Sequence, residues 1–217
     1  MLHHVLMTND PRAVVRSGYN SLGSRYLEWT LTVDPVHRVT YMEQALEIVD
    51  PGATVVELGC GPCIPTGRLV AERRRYVGVD MSESQLALAR KNVPSAHLVL
   101  ADMSDVAFRV ASVEAVLAFY SIIHVPRQDH ERLFGAIFRW LRPGGIFAVN
   151  LVAGDNPGGF DTWIDDVRMY WSGFDAATNV ELVHDAGFQI LRNDVLTNFE
   201  DDQEVRFVWI LGRKPAP

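Results

Sequence analysis

Between residues 50 and 150 the chain alternates short apolar runs with segments of helical period, and this alternation restricts the fold more than any other feature. "ATVVEL", "YVGVD", "AHLVLAD", "VEAVLAFY" and "GGIFAVN" each have the length and composition of a buried strand. Between them lie helical stretches: residues 64 to 74, then "SESQLALARKN", then "DHERLFGAIFRWL". The second opens with Ser82 and Gln85 three apart, a capping signature. The third places Leu133, Phe134, Ile137, Phe138 and Leu141 on one face and stops at "RPGG". Serial strand–helix units predict a parallel sheet covered on both faces.

The ending departs from this pattern. After a helix near "TNVELVHDAGF", the runs "QILRNDVLTNF" and "EVRFVWILGRK" are separated only by the polar "EDDQ", which predicts an antiparallel hairpin. Two regions fall outside the core. Residues 10 to 30 carry Val15, Tyr19, Leu22, Tyr26 and Trp29 on one helical face, despite Gly18 and Gly23. Residues 151 to 177 hold "GDNPGGFDTW" and "MYWSGFD", a connection longer than a core loop. The expected organisation is one domain: a helical cap over 1–49, a ligand-binding core over 50–150, an insertion over 151–177, and a helix and hairpin over 178–217.

Composition narrows the partners. With 217 residues, 48% hydrophobic and 22% charged, the chain reads as an ordinary globular domain. A net charge of −7 disfavours broad electrostatic contact with nucleic acid or an anionic membrane. The "ERRRY" run reads as the solvated end of a helix. No apolar run approaches the roughly eighteen residues of a membrane span. "MLHHVLMTNDPR" lacks the apolar length of a signal peptide, and the expected location is cytoplasmic.

The two cysteines, Cys60 and Cys63, form C-G-P-C inside "VVELGCGPCIPTGRL". A thioredoxin-like centre wants an aromatic residue before the first cysteine and a domain about half this length. Gly59 stands there instead, and a long strand–helix series follows. The other reading is a glycine turn between strand and helix, where backbone N–H groups approach a nucleotide. It predicts an acid at the tip of the next strand about twenty residues on, and Asp80 is there. A dinucleotide fingerprint would want a small residue at Ile64, which disfavours a dehydrogenase. Two thiols supply neither a disulfide framework nor a four-thiolate metal site, and no metal is expected.

"VVELGCGPC", "VGVDMS", "LADMSDV", "AVLAFYSIIHV" and "WLRPGG", in this order, resemble the successive motifs of class I S-adenosylmethionine-dependent methyltransferases. The resemblance covers roughly residues 50 to 150, and it implies a Rossmann-like, seven-stranded, mostly parallel α/β sheet with an antiparallel C-terminal hairpin. It implies S-adenosyl-L-methionine as cofactor and S-adenosyl-L-homocysteine as product. Carried over by position, Glu57, Gly59, Cys60 and Gly61 form the turn beside the methionine part. Asp80 meets the ribose hydroxyls, with Met81 beside the adenine. Asp102 and Met103 stand near the adenine amino group, and Phe119 and Tyr120 line the cleft. Gln85 and Tyr26 complete the expected cofactor set. One departure is that Cys63 replaces the third family glycine.

Methyl transfer mainly needs alignment and exclusion of water, with a base only where the acceptor must lose a proton. His124 in "SIIHVP" is the candidate base, and a histidine bonding loop backbone is the plainer alternative. Tyr19, Trp29, His124, Trp163, Tyr170 and Trp171 are the candidate acceptor-pocket residues, since aromatic walls suit a flat or cationic molecule. The fourth strand ends in "AFYS", not the N/D-P-P-Y/F run of enzymes that methylate amide or base nitrogens. The expectation is O- or N-methylation of a small, ring-containing molecule. C-methylation, a non-catalytic binding protein and a dehydrogenase are the alternatives.

Overall fold

The computed structural model describes residues 9–200 and 203–216. The first eight residues, and with them most of the segment read for a leader, lie outside the described residues, as do 201 and 202 of "EDDQ".

Three helices come first: α1 (Pro11–Leu22), α2 (Ser24–Thr30) and α3 (Val36–Ile48). The core then runs β1 (Thr54–Leu58), α4 (Thr66–Ala71), β2 (Arg75–Asp80), α5 (Glu83–Asn92), β3 (His97–Leu100), β4 (Val113–Ala118), α6 (His130–Trp140) and β5 (Leu141–Val152). A hairpin of β6 (Asn156–Thr162) and β7 (Arg168–Gly173) follows, then α7 (Ala176–Asp185), β8 (Gln189–Glu200) and β9 (Gln203–Arg213). The main sheet has the order β3-β2-β1-β4-β5-β9-β8. β1 to β5 are parallel, and β9 runs antiparallel to both β5 and β8. This is the mostly parallel seven-stranded α/β sheet with a terminal hairpin that the sequence predicts.

Strand pleat sorts the core. Val55 faces the layer built with Tyr41, Met42 and Leu46 of α3, while its neighbour Val56 faces Phe134 and Ile137 of α6. Both layers exclude water from these side chains, and each fully buried one stabilises the fold by roughly 1.5–3 kcal/mol. The sheet order reverses between β1 and β4, and a crevice opens at their carboxyl ends, where open α/β sheets bind ligands.

Three local expectations differ from the structure. The single helical face over 10 to 30 is two helices, broken at Gly23. The helix expected from 64 to 74 spans only Thr66–Ala71, because the turn after β1 extends through Pro65. The "RRR" segment does not merely meet solvent: Arg73 forks onto Glu43, both N···O distances 2.8 Å, and Arg74 donates to the carbonyls of Leu46 and Val49 at the end of α3.

The connection over 151 to 177 is largely the β6–β7 hairpin rather than a loop. α1 lies on β7 so closely that a Cβ at Gly18 would come 2.6 Å from Met169 Sδ and 3.1 Å from the Arg168 carbonyl oxygen. Arg25 of the cap also pairs with Asp165 of the hairpin turn.

Candidate functional site

The chain leaves β1 through Gly59, Cys60 and Gly61. The N–H groups of Gly59 and Cys60 both donate to the Val79 carbonyl, at 2.8 and 3.0 Å, which ties the turn to the end of β2. The φ angles of Gly59 and Gly61 are +71° and +51°, open to glycine and rare for other residues. A Cβ at Gly59 would lie 2.3 Å from Ser121 Cβ, and one at Gly61 would lie 3.2 Å from the Tyr26 ring. The turn therefore presents bare backbone at the crevice. Cys63 holds the third position at φ +60°, a left-handed conformation for a side-chain-bearing residue, with Sγ 3.4 Å from the Tyr76 hydroxyl. The small thiol keeps the turn.

Asp80 ends β2 with a carboxylate already shared: Gly61 N–H donates to Oδ2 and Ser82 N–H to Oδ1, each at 2.8 Å. Burial raises its pKa, and these backbone bonds oppose the rise. Each oxygen keeps a second lone pair for a ligand hydroxyl. Met81, Asp102 and Met103 continue the crevice wall. From α1, Arg12 reaches Asp102 at 3.5 Å and also pairs with Asp105 and Asp129.

A second cavity of about 370 Å³ adjoins the crevice. Trp29, Trp163 and Trp171 form much of its wall, the first two rings meeting edge to face at 4.7 Å. Tyr19, Tyr26, Tyr120 and His124 border both spaces and form the neck between them. Tyr120 is held at φ +54° at the end of β4, its N–H donating to Asn150 Oδ1 at 2.7 Å and its hydroxyl accepting from Asn198. Such backbone strain in a bulky residue persists only where its surroundings enforce it.

His124 is at the neck and its ring is fully engaged. Nδ1 lies 2.7 Å from the Tyr170 carbonyl oxygen, which can only accept, so Nδ1 carries the proton. Burial lowers the pKa to about 4, and the ring is neutral. Nε2 therefore accepts from the Tyr19 hydroxyl at 2.9 Å.

Among the expected cofactor residues, Tyr26, Gly59, Gly61, Asp80, Met81, Asp102, Met103 and Tyr120 line the crevice. Four stand elsewhere. Glu57 is beneath the turn, where Tyr76 donates to its carboxylate and burial pushes its pKa up to about 7. The Cys60 thiol points under the turn, against Gly78, and its pKa is raised well above the thiol range by the neighbouring Cys63 and by burial. Gln85 donates through its amide nitrogen to the carbonyls of Tyr19 and Gly23, fastening the cap to α5, and does not line the crevice. Phe119 packs on Trp209 in the core.

Of the acceptor set, Tyr19, Trp29, His124, Trp163 and Trp171 line the second cavity. The Tyr170 ring is turned away, against Phe160 and Gly158, and only its carbonyl serves the site. Arg12, Arg38 and Ser121 were not anticipated. Ser121 is set by donating to the Leu58 carbonyl at 2.7 Å. Among the described residues no cluster of three or more His, Cys, Asp or Glu is placed to hold a metal, and no helix is long and apolar enough to cross a membrane.

Residues 55–145 match the family described as "Methyltransferase domain". Over these residues the chain matches a methyltransferase domain, in the fold of the class I S-adenosylmethionine-dependent superfamily. A trans-aconitate 2-methyltransferase of Variovorax paradoxus is 38% identical over 102 residues, covering 46% of this chain and 38% of that protein. A probable S-adenosylmethionine-dependent methyltransferase of Mycolicibacterium smegmatis is 30% identical over 158 residues, covering 71% of this chain and 58% of that protein. The chain thus spans less than two thirds of the length of these curated relatives. Among solved structures, the DhpI–SAH complex superposes with a TM-score of 0.75 at 19% identity, over 97% of this chain and 99% of that one. The 1,6-didemethyltoxoflavin-N1-methyltransferase of Burkholderia thailandensis, solved with 1,6-didemethyltoxoflavin and S-adenosylhomocysteine, gives 0.70 at 19% identity, over 94% and 88%. These two likenesses establish the fold.

Proposed function

We propose that the protein transfers a methyl group from S-adenosylmethionine to an oxygen or nitrogen of a small, ring-containing molecule. The observation that carries this reading is the pair of spaces joined at one neck. One is floored by the glycine turn and Asp80, and the other is walled by three tryptophans. Asp80 would accept from the ribose hydroxyls, Met81, Asp102 and Met103 would flank the adenine, and the bare turn at Gly59 and Gly61 would admit the methionine part. The cofactor supplies an electrophilic methyl on a sulfonium. The chain aligns the acceptor across the neck and excludes water there.

The neck also supplies a route for a proton. An acceptor hydroxyl or amine at the neck would meet Tyr19 Oη before His124, whose Nε2 is already taken. Its proton passes to Tyr19 Oη while the Tyr19 proton passes to His124 Nε2. The Tyr170 carbonyl holds Nδ1–H throughout.

The 1,6-didemethyltoxoflavin in the Burkholderia structure is a small molecule handled by the same fold, which supports an acceptor of this size. The match to the trans-aconitate enzyme does not fix the acceptor here, since its 102 residues amount to 46% of this chain. The test is incubation with isotopically labelled S-adenosylmethionine and a library of small aromatic alcohols and amines, read by mass spectrometry. Label in a small molecule supports the proposal. Label only in added RNA or protein overturns the acceptor class, and absence of S-adenosylhomocysteine binding in calorimetry overturns the cofactor.

A further inference from the structure

Arg38 of α3 is a cation in the wall of the tryptophan-lined cavity. Its guanidinium lies over the Tyr120 ring, 4.5 Å from the ring centre. Arg12, Arg16, Arg25, Arg73, Arg127, Arg142 and Arg192 each meet a carboxylate. Among the described residues no carboxylate oxygen lies within ion-pair distance of Arg38, in a chain with 27 acidic residues against 20 Lys and Arg. The cation is half-buried, and the face of one phenol compensates only part of the hydration it gives up. Its charge also reaches the neck: burial raises the pKa of Tyr26 and Tyr120, and Arg38 opposes both rises. Glu200 shares this lining, and its carboxylate raises the pKa of Tyr26 and Tyr120 where Arg38 lowers it.

We infer that Arg38 is the recognition group for the acceptor, and that the acceptor is a ring-bearing carboxylate held by its carboxylate on this guanidinium. Two aspects of the geometry support this. The guanidinium, held over the Tyr120 ring, carries a fork of N–H donors, and such a fork matches the two oxygens of a carboxylate. The cavity around it is otherwise aromatic and apolar apart from Thr30, Glu200, Gln203 and the neck hydroxyls, which suits a ring. Arg38 borders the second cavity alone, whereas the neck residues border both. The carboxylate is thus a handle remote from the atom that receives the methyl group. This inference rests on the proposed methyltransferase reading for what happens at the other end of the acceptor, but not for the binding itself.

The test uses indole-3-acetate and 2-naphthoate, each against its own neutral amide, with benzyl phosphate as a third anion. Binding is read by quenching of tryptophan fluorescence, since Trp29, Trp163 and Trp171 line the cavity, in the full chain with and without saturating S-adenosylhomocysteine. Each carboxylate should bind at least about tenfold more tightly than its amide, as expected for a charge-assisted pair. Arg38→Gln should close that gap, Arg38→Lys should keep part of it, and S-adenosylhomocysteine affinity should move by less than about twofold in both.

Equal binding of carboxylate and amide in the wild type, or a gap that survives Arg38→Gln, overturns the inference. So does benzyl phosphate binding more tightly than both carboxylates. Should Arg38→Gln fail to fold, as judged by circular dichroism, the wild-type gap and Arg38→Lys carry the test. A carboxylate gap without any S-adenosylhomocysteine binding would sink the methyltransferase reading and leave this one standing. The reverse pattern would do the opposite.

Discussion

Tyr19 donates its hydroxyl proton to Nε2 of His124 across 2.9 Å, joining the N-terminal cap to the loop after β4 at the boundary between the two spaces. The imidazole cannot turn, because its other nitrogen is bound to the Tyr170 carbonyl.

If this pair accepts the acceptor's proton, Tyr19→Phe and His124→Asn should each lower kcat by about 10²–10⁴-fold, with cofactor affinity nearly unchanged. The double variant should be little worse than either single one, since both remove the same route. Steady-state kinetics with calorimetry for S-adenosylhomocysteine separates these outcomes, and full additivity would refute a shared route. The neutral ring with a pKa near 4 places the acid-side loss of kcat/KM of the free enzyme near pH 4 rather than 6.5.

Asp80→Ala removes the carboxylate proposed to accept from the ribose hydroxyls and strands the N–H groups of Gly61 and Ser82. Affinity for S-adenosylhomocysteine should fall by about 10- to 100-fold, corresponding to roughly 1.5–3 kcal/mol. Unchanged affinity in calorimetry would remove Asp80 from the cofactor site.

Glu57→Gln tests the carboxylate beneath the turn. Its folded pKa, about 7, lies above the ordinary carboxylate range, so between about pH 4.5 and 7 the folded state holds a proton that the unfolded state has released. Stability from this group is therefore full at low pH and is lost as pH rises through that window. Relative to wild type, Glu57→Gln should be more stable by an amount that grows from pH 4.5 to 7, reaching at most about 3 kcal/mol. Urea titrations at several pH values measure it. A constant difference would show that Glu57 is ionised throughout.

The C-G-P-C stretch should be redox-silent, since both thiols are buried and that of Cys60 is held protonated. A disulfide reductase assay should stay at background. Cys63→Gly should relax the +60° backbone while giving up the packing of Sγ on Tyr76, and cofactor binding should persist in it. Turnover in the reductase assay, lost in that variant, would reverse this reading.

The parallel core was legible because its strands are buried on both faces and announce themselves as unbroken apolar runs. Asp80 was legible for a similar reason, its distance from the turn being set by one strand–helix unit. The hairpin over residues 156 to 173 was not, because "NPGGFDT" is mostly exposed and carries no apolar alternation. Side-chain direction was equally hidden: Tyr170 and Trp171 are adjacent on one strand, and the pleat sends one to Phe160 and the other to the cavity. Arg38 gave no signal, since it becomes conspicuous only once Tyr120 is folded beneath it. Gln85 was recognised as part of a helix start, yet its amide is used at a distance, on carbonyls that only the packed cap brings near.

The close seat of α1 on β7, with no room for a methyl group between Gly18 and Met169, has a bearing on how such a protein can be altered. The two segments, which both border the tryptophan-lined cavity, are far apart in the chain, yet they pack as a matched pair. A chimera that imports a cap without its hairpin would set a foreign helix against Met169, and the misfit would be felt at Tyr19 one residue away. The wall of this cavity is therefore best altered as two segments exchanged together, and a library that shuffles one alone would sample mostly misfitted cavities.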